Sequence, residues 1–221
     1  MIKNFRKQIK IIKYGGDKKS SIAAAALFFL LGILFLIMMD SEGLVMGSLY
    51  IFAGLLMLLQ VYNTLLSIGM VTASPKRRML ETWLIDILGL LTGICYYIFL
   101  LIVGVIKIYL SHEAEAVKQQ YGIAFLFAGI LGGWVLIYCG MAWKSFLISV
   151  IVFSGGFFVI SSKFSAIIEN DKVMLVNLGT GAMLGFLAIV LGAVVAGIIR
   201  RLLYKKPMSK YAMGANLRKQ M

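Results

Sequence analysis

Val71-Thr72-Ala73-Ser74-Pro75-Lys76-Arg77-Arg78-Met79-Leu80-Glu81-Thr82-Trp83 separates two long apolar runs, and the placement of the whole chain follows from how it is read. Three consecutive cations and one of only two prolines stand in it, between segments where charge is rare. Such polarity does not belong in hydrocarbon, so the runs on either side enter a membrane from one face.

Composition makes the membrane reading general. The 221 residues are 61% hydrophobic and 14% charged, against a soluble average of roughly 45–50% and about 25%. Mean hydropathy is +0.95. Several runs exceed the ~18 apolar residues that cross a hydrocarbon core of about 30 Å. None has the short apolar region and small-residue cleavage site of a signal peptide, so no segment is expected to be removed. An all-α integral membrane protein is predicted.

The net charge of +13 invites a nucleic-acid partner, but the distribution of charge argues against one. Alternating sides at each apolar run puts 18 of the 22 cations on one side. These come from the N-terminal segment, the Lys76-Arg77-Arg78 loop, Lys144 and a tail running from Arg200 to Lys219. Asp40, Glu42, Glu113, Glu115, Glu169 and Asp171 lie opposite. That is the positive-inside pattern, with an even number of spans and both termini cytoplasmic. The excess charge then serves topology and attraction to anionic lipid.

In chain order, residues 1–20 place Phe5, Ile9 and Ile12 in a helical apolar row among cations, an interfacial amphipathic helix. Residues 21–200 form the transmembrane domain, with spans at about 22–39, 44–71, 84–110, 121–142, 146–160 and 173–199. A basic cytoplasmic tail, 201–221, follows. The second span carries Gln60 and Asn63 on one face, serving either interhelical hydrogen bonding or a transport pathway. Asp86 opens the third span, as a functional acid or as a helix-end ion pair within reach of Arg77, Arg78 or headgroup water. Gly129, Gly132 and Gly133 permit close backbone approach in the fourth span, which a minimal turn at Trp143-Lys144-Ser145 joins to the fifth. The fifth is short and contains Gly155-Gly156, so residues 164–169 are expected to bend back into the outer leaflet. The sixth carries Asn177, Thr180, Gly181, Gly185 and Gly192, suited to packing within the bundle or between protomers.

Motifs for chemistry are missing. The chain has no HExxH, CxxC, Gly-x-Ser-x-Gly or phosphate-loop pattern. Cys95 and Cys139 lie in apolar runs without metal-ligand spacing, and His112 sits in a polar loop. No catalytic residue, metal or bound cofactor is expected, and work against a gradient must draw on an ion or a partner. Asp86 lies too near a span end for ion coupling, which favours the partner.

A basic amphipathic N-terminus, six spans, a cytoplasmic loop between the second and third, and a short fifth span resemble the permease subunit of type-2 ABC exporters in a small bacterial form. Members carry a coupling helix in that loop, which docks on a separate ATPase subunit. The matching stretch is Ser74-Pro75-Lys76-Arg77-Arg78-Met79-Leu80-Glu81. The resemblance implies a multi-pass protein of a bacterial plasma membrane, pairing with a second permease protomer. ATP and Mg would be held by the ATPase, and the cargo would be an amphipathic peptide, drug or lipid-like molecule leaving the cytoplasm. An ATP-independent channel or carrier would instead use Gln60, Asn63, Asp86 and Asn177 directly. An assembly or immunity subunit would use the glycine-lined faces to bind another membrane protein.

Overall fold

A computed structural model of the chain describes residues 18–38, 41–65, 77–111, 115–142, 144–169 and 176–205. Six long helices occupy them: α1 (Lys18–Met38), α2 (Ser41–Leu65), α3 (Ile85–Ser111), α4 (Glu115–Ala142), α5 (Phe146–Glu169) and α6 (Leu178–Leu203). A short α turn, Arg77–Met79, and a π turn, Leu80–Leu84, lead without a break into α3. There is no strand among the described residues. The expected interfacial row of Phe5, Ile9 and Ile12 and the tail beyond 205 lie outside the described residues.

The windows Ser20–Met38, Glu81–Leu110, Lys118–Ala142 and Leu178–Leu203 are long and apolar enough to cross a membrane. The apolar parts of α2 and α5, Gly43–Leu59 and Ile148–Ile160, are shorter. Leu30, Ile37, Ile151, Phe158, Leu191 and Leu202 stand exposed on the outside of the bundle. Water would not tolerate so many apolar side chains on a monomer's surface, and the pattern is compatible with a multi-pass membrane protein.

α4 is the central helix, packed against α2, α3, α5 and α6. Its partnership with α6 is the tightest in the bundle. The two run in the same direction, with Gly122 beside Gly181, Gly129 beside Gly185 and Gly133 beside Gly192. A Cβ at Gly133 would meet the carbonyl oxygen of Ala188 at 2.5 Å, and one at Gly129 would collide with the backbone of Gly185. Only glycine allows backbones this close. The glycines of the fourth and sixth spans thus serve packing within the bundle. α1 and α2 form the antiparallel hairpin that their short connection implies, with Gly32 against Gly47.

Two expectations change. The sixth helix begins at Leu178, because Asn177 is extended (φ −68°, ψ 157°). The fifth element is one unbroken helix of 24 residues, about 36 Å long at 1.5 Å per residue, and residues 164–169 continue it where a bend had been expected. Gly155-Gly156 does not break it because Trp134 of α4 packs over Gly156 and donates its indole N–H to Phe153 O at 3.3 Å. The turn before it matches expectation: the N–H groups of Lys144 and Ser145 both donate to Met141 O, at 3.2 and 3.0 Å.

Filling the α4–α6 contact should be costly. Gly185→Leu is expected to destabilise the protein by about 1–3 kcal/mol, read as a lower unfolding midpoint in detergent. Gly155→Ala, where nothing lies within 4 Å of the new methyl, should leave the midpoint unchanged or slightly raised. Equal midpoints for wild type and Gly185→Leu would mean that this contact is not tight.

Candidate functional site

The buried face of α6 recurs at three- and four-residue spacing through Gly181, Gly185, Ile189, Gly192 and Ala196, and ends on Arg200. The arginine therefore points inward by helical register, although it lies in the last turn. A buried guanidinium needs partners, and two neighbouring helices supply them. Its Nε lies 3.1 Å from Asp86 Oδ1, with the side chains 3% and 17% exposed. Its Nη2 donates to Cys139 O at 3.2 Å. That carbonyl belongs to the last turn of α4, where helix carbonyls run out of intrahelical donors. One side chain thus fastens α3, α4 and α6 together at one end.

The next residue faces outward. Arg201 sits over the Trp83 ring, 5.7 Å from its centroid, a cation–π contact worth about 0.5–1 kcal/mol where exposed. Trp83 lies in the π turn, so the same two helices are linked a second time. Within this lead-in, Arg78 and Met79 are exposed while Glu81 and Thr82 are buried. The Thr82 hydroxyl donates to Arg78 O at 2.7 Å. The π turn changes the register so that one part of the arm faces out and the next faces the bundle.

Farther along α3, Tyr97 is fully buried where α4 and α6 meet. Its hydroxyl lies 2.9 Å from Ala182 O and 3.2 Å from Phe125 O, so its proton serves carbonyls of both helices. Beside Asp86 a cleft of about 260 Å³ opens between α3 and α6, lined by Trp83, Leu90, Ala193, Val194, Gly197 and Arg201 among others.

Of the coupling stretch, Ser74, Pro75 and Lys76 lie outside the described residues, while Arg77 to Glu81 are helical. Glu81 is wholly buried, so it is not presented to a docking partner alongside Arg78 and Met79. Gln60 and Asn63 stand near the end of α2 that neighbours Asp86, since Leu59 packs beside Gly89 of α3. Asn177 is exposed at the start of α6, roughly 35 Å along the helix from Arg200. The polar residues therefore do not form one cluster.

Asp86 has its ion pair, with Arg200 as the partner found; Arg78 is exposed, and the side chain of Arg77 lies outside the described residues. In the sequence Arg200 reads as the first cation of the basic tail. Carrying the row Gly181, Gly185 and Gly192 two further turns, through Ala196, would have placed it on the packed face. Tyr97 carried no comparable signal, being one aromatic residue in an apolar run.

Among the described residues no group of three or more His, Cys, Asp or Glu side chains is placed to hold a metal ion. No protein-family model, curated protein or solved structure matches the chain.

Breaking the buried pair from one side should cost more than removing it. Arg200→Leu is expected to destabilise by about 3 kcal/mol, because it strands Asp86 and Cys139 O. The double variant Asp86→Leu/Arg200→Leu should recover most of that loss, as unfolding midpoints in detergent would reveal. A single variant as stable as wild type would show that the pair does not hold the three helices.

Proposed function

We propose that the chain is the membrane-spanning permease subunit of an ATP-driven exporter, crossing a bacterial plasma membrane six times with both termini in the cytoplasm. The observation that carries this reading is the basic arm ahead of α3. It is helical from Arg77, exposes Arg78 and Met79, and continues into a helix whose base is tied to α6 through Asp86 and Arg200. An arm built this way can pass a push from outside the membrane into the bundle.

The orientation rests on charge. Arg78, Lys144, Arg200, Arg201 and Lys205 gather at one end of the helices, and Glu115 and Glu169 stand at the other. The basic end is then cytoplasmic. There Lys76, Arg77 and Arg78 would meet an acidic groove of a separate ATPase subunit, with Met79 as an apolar anchor. ATP and Mg reside on that subunit, and hydrolysis belongs to it. Closure of the ATPase on ATP displaces the arm, tilts α3 and alters access to a pathway shared with a second permease protomer. The scarcity of charge along the apolar helices favours an amphipathic peptide, drug or lipid-like cargo.

Affinity purification of the tagged chain from its native membrane in mild detergent tests the reading. A stoichiometric soluble ATPase should accompany the wild-type protein. It should be lost from the variant Lys76→Glu/Arg77→Glu/Arg78→Glu, whose unfolding midpoint should match that of wild type. A well-folded chain that arrives without any ATPase would sink the exporter reading and turn attention to channel or carrier activity in reconstituted vesicles.

A further inference from the structure

Two lateral clefts lined by described residues differ in the charge of their linings. One, of about 390 Å³ between α1 and α3, is walled by Ile22, Phe29, Leu58, Cys95, Tyr96 and Phe99 among others, without a charged side chain. The other, of about 260 Å³, lies between α3 and α6 at the basic end. Leu90, Ala193 and Val194 line it along the helices, and Trp83 and Arg201 line it at the basic end. It is smaller than the roughly 300–1,000 Å³ of an enclosed small-molecule site, and open along one side.

We propose that the α3–α6 cleft is a binding site for one anionic phospholipid, its phosphate held at Arg201 beside Trp83 and an acyl chain lying along Leu90, Ala193 and Val194. Arg201 is exposed, and its guanidinium is already oriented by the Trp83 ring, so little freedom is lost when it receives a phosphate. Lys205, one turn on, and Arg78, on the arm, are exposed at the same end and add positive field. Asp86 is the one acid in the lining, and Arg200 opposes its charge at 3.1 Å. Cation, interfacial aromatic and apolar groove follow one another along the cleft in the order that headgroup, glycerol and chain follow in a lipid. Only placement of the bundle in a membrane is required: a chain that binds no ATPase would hold the lipid equally well.

Native mass spectrometry of the full chain, delipidated in detergent and titrated with phosphatidylglycerol or phosphatidylcholine, tests this site. Phosphatidylglycerol should bind in preference. Arg201→Gln should weaken it about fivefold, the equivalent of one cation at a headgroup, and weaken phosphatidylcholine less, since choline already offsets that lipid's phosphate charge. Ala193→Phe, which fills the groove, should lower phosphatidylglycerol occupancy. Should that variant fold poorly, Val194→Trp fills the same cleft from an exposed position. Equal affinity for the two lipids, or a preference untouched by Arg201→Gln, overturns the proposal. So does undiminished binding in the groove-filling variant. In vesicles, cross-linking between copies through Val194→Cys in a Cys95→Ser background, undiminished by added phosphatidylglycerol, would assign the cleft to a second copy of the chain and overturn it likewise.

Discussion

The backbone contact between α4 and α6 is the constraint on which the bundle depends. Inside a bilayer an exposed leucine gains nothing by moving from lipid to a neighbouring helix, so association rests on close packing and polar links. Facing glycines supply the first, at Gly122–Gly181, Gly129–Gly185 and Gly133–Gly192. Once the two backbones touch, the geometry of the polar links is set. Tyr97 can reach carbonyls of both helices in the middle, and Arg200 can reach Cys139 O at the end. A helix pair separated by ordinary side chains would leave the Arg200 guanidinium too far from that carbonyl.

A charge buried beside three helices is an expensive way to hold them. An apolar replacement of similar volume often serves stability as well, so stability alone does not explain Arg200 and Asp86. Their value lies in place. They sit where the basic arm enters the bundle, and the π turn there gives Trp83 to Arg201 and Glu81 to the interior. Two successive arginines in the last turn of α6 thus do different work, one fixing α3 from within and the other from the surface.

The helices were legible in the sequence because apolar runs of sufficient length have few alternatives in a membrane. So were the α1–α2 and α4–α5 hairpins, whose connections are too short to reach elsewhere. The end of the fifth helix was not legible. Gly155-Gly156 in a short apolar run reads as interruption, and the support that Trp134 gives to Gly156 comes from another helix. The partner of Asp86 was hidden for a related reason. Proximity in the chain pointed to Arg77 and Arg78, whereas the pairing depends on which helix lies beside α3, a fact of tertiary packing. The glycine spacing of α6, extended by two further turns, held the clue.

These links also decide which parts of the bundle can move together in the exporter reading. α3, α4 and α6 are joined by Arg200 at one end and by Tyr97 farther along, so a push delivered through the arm moves them as a unit and does not bend α3 alone. α1 packs chiefly on α2, and α5 packs chiefly on α4, to which the Trp134 indole N–H ties it through Phe153 O. Relative motion in that reading falls between the three-helix unit and the α1–α2 hairpin, whose Phe52 and Leu59 side chains lie against Gly132 and Gly89. The α1–α3 cleft bounded by Phe29, Leu58 and Tyr96 lies along that seam, so its width would report the displacement of the arm directly.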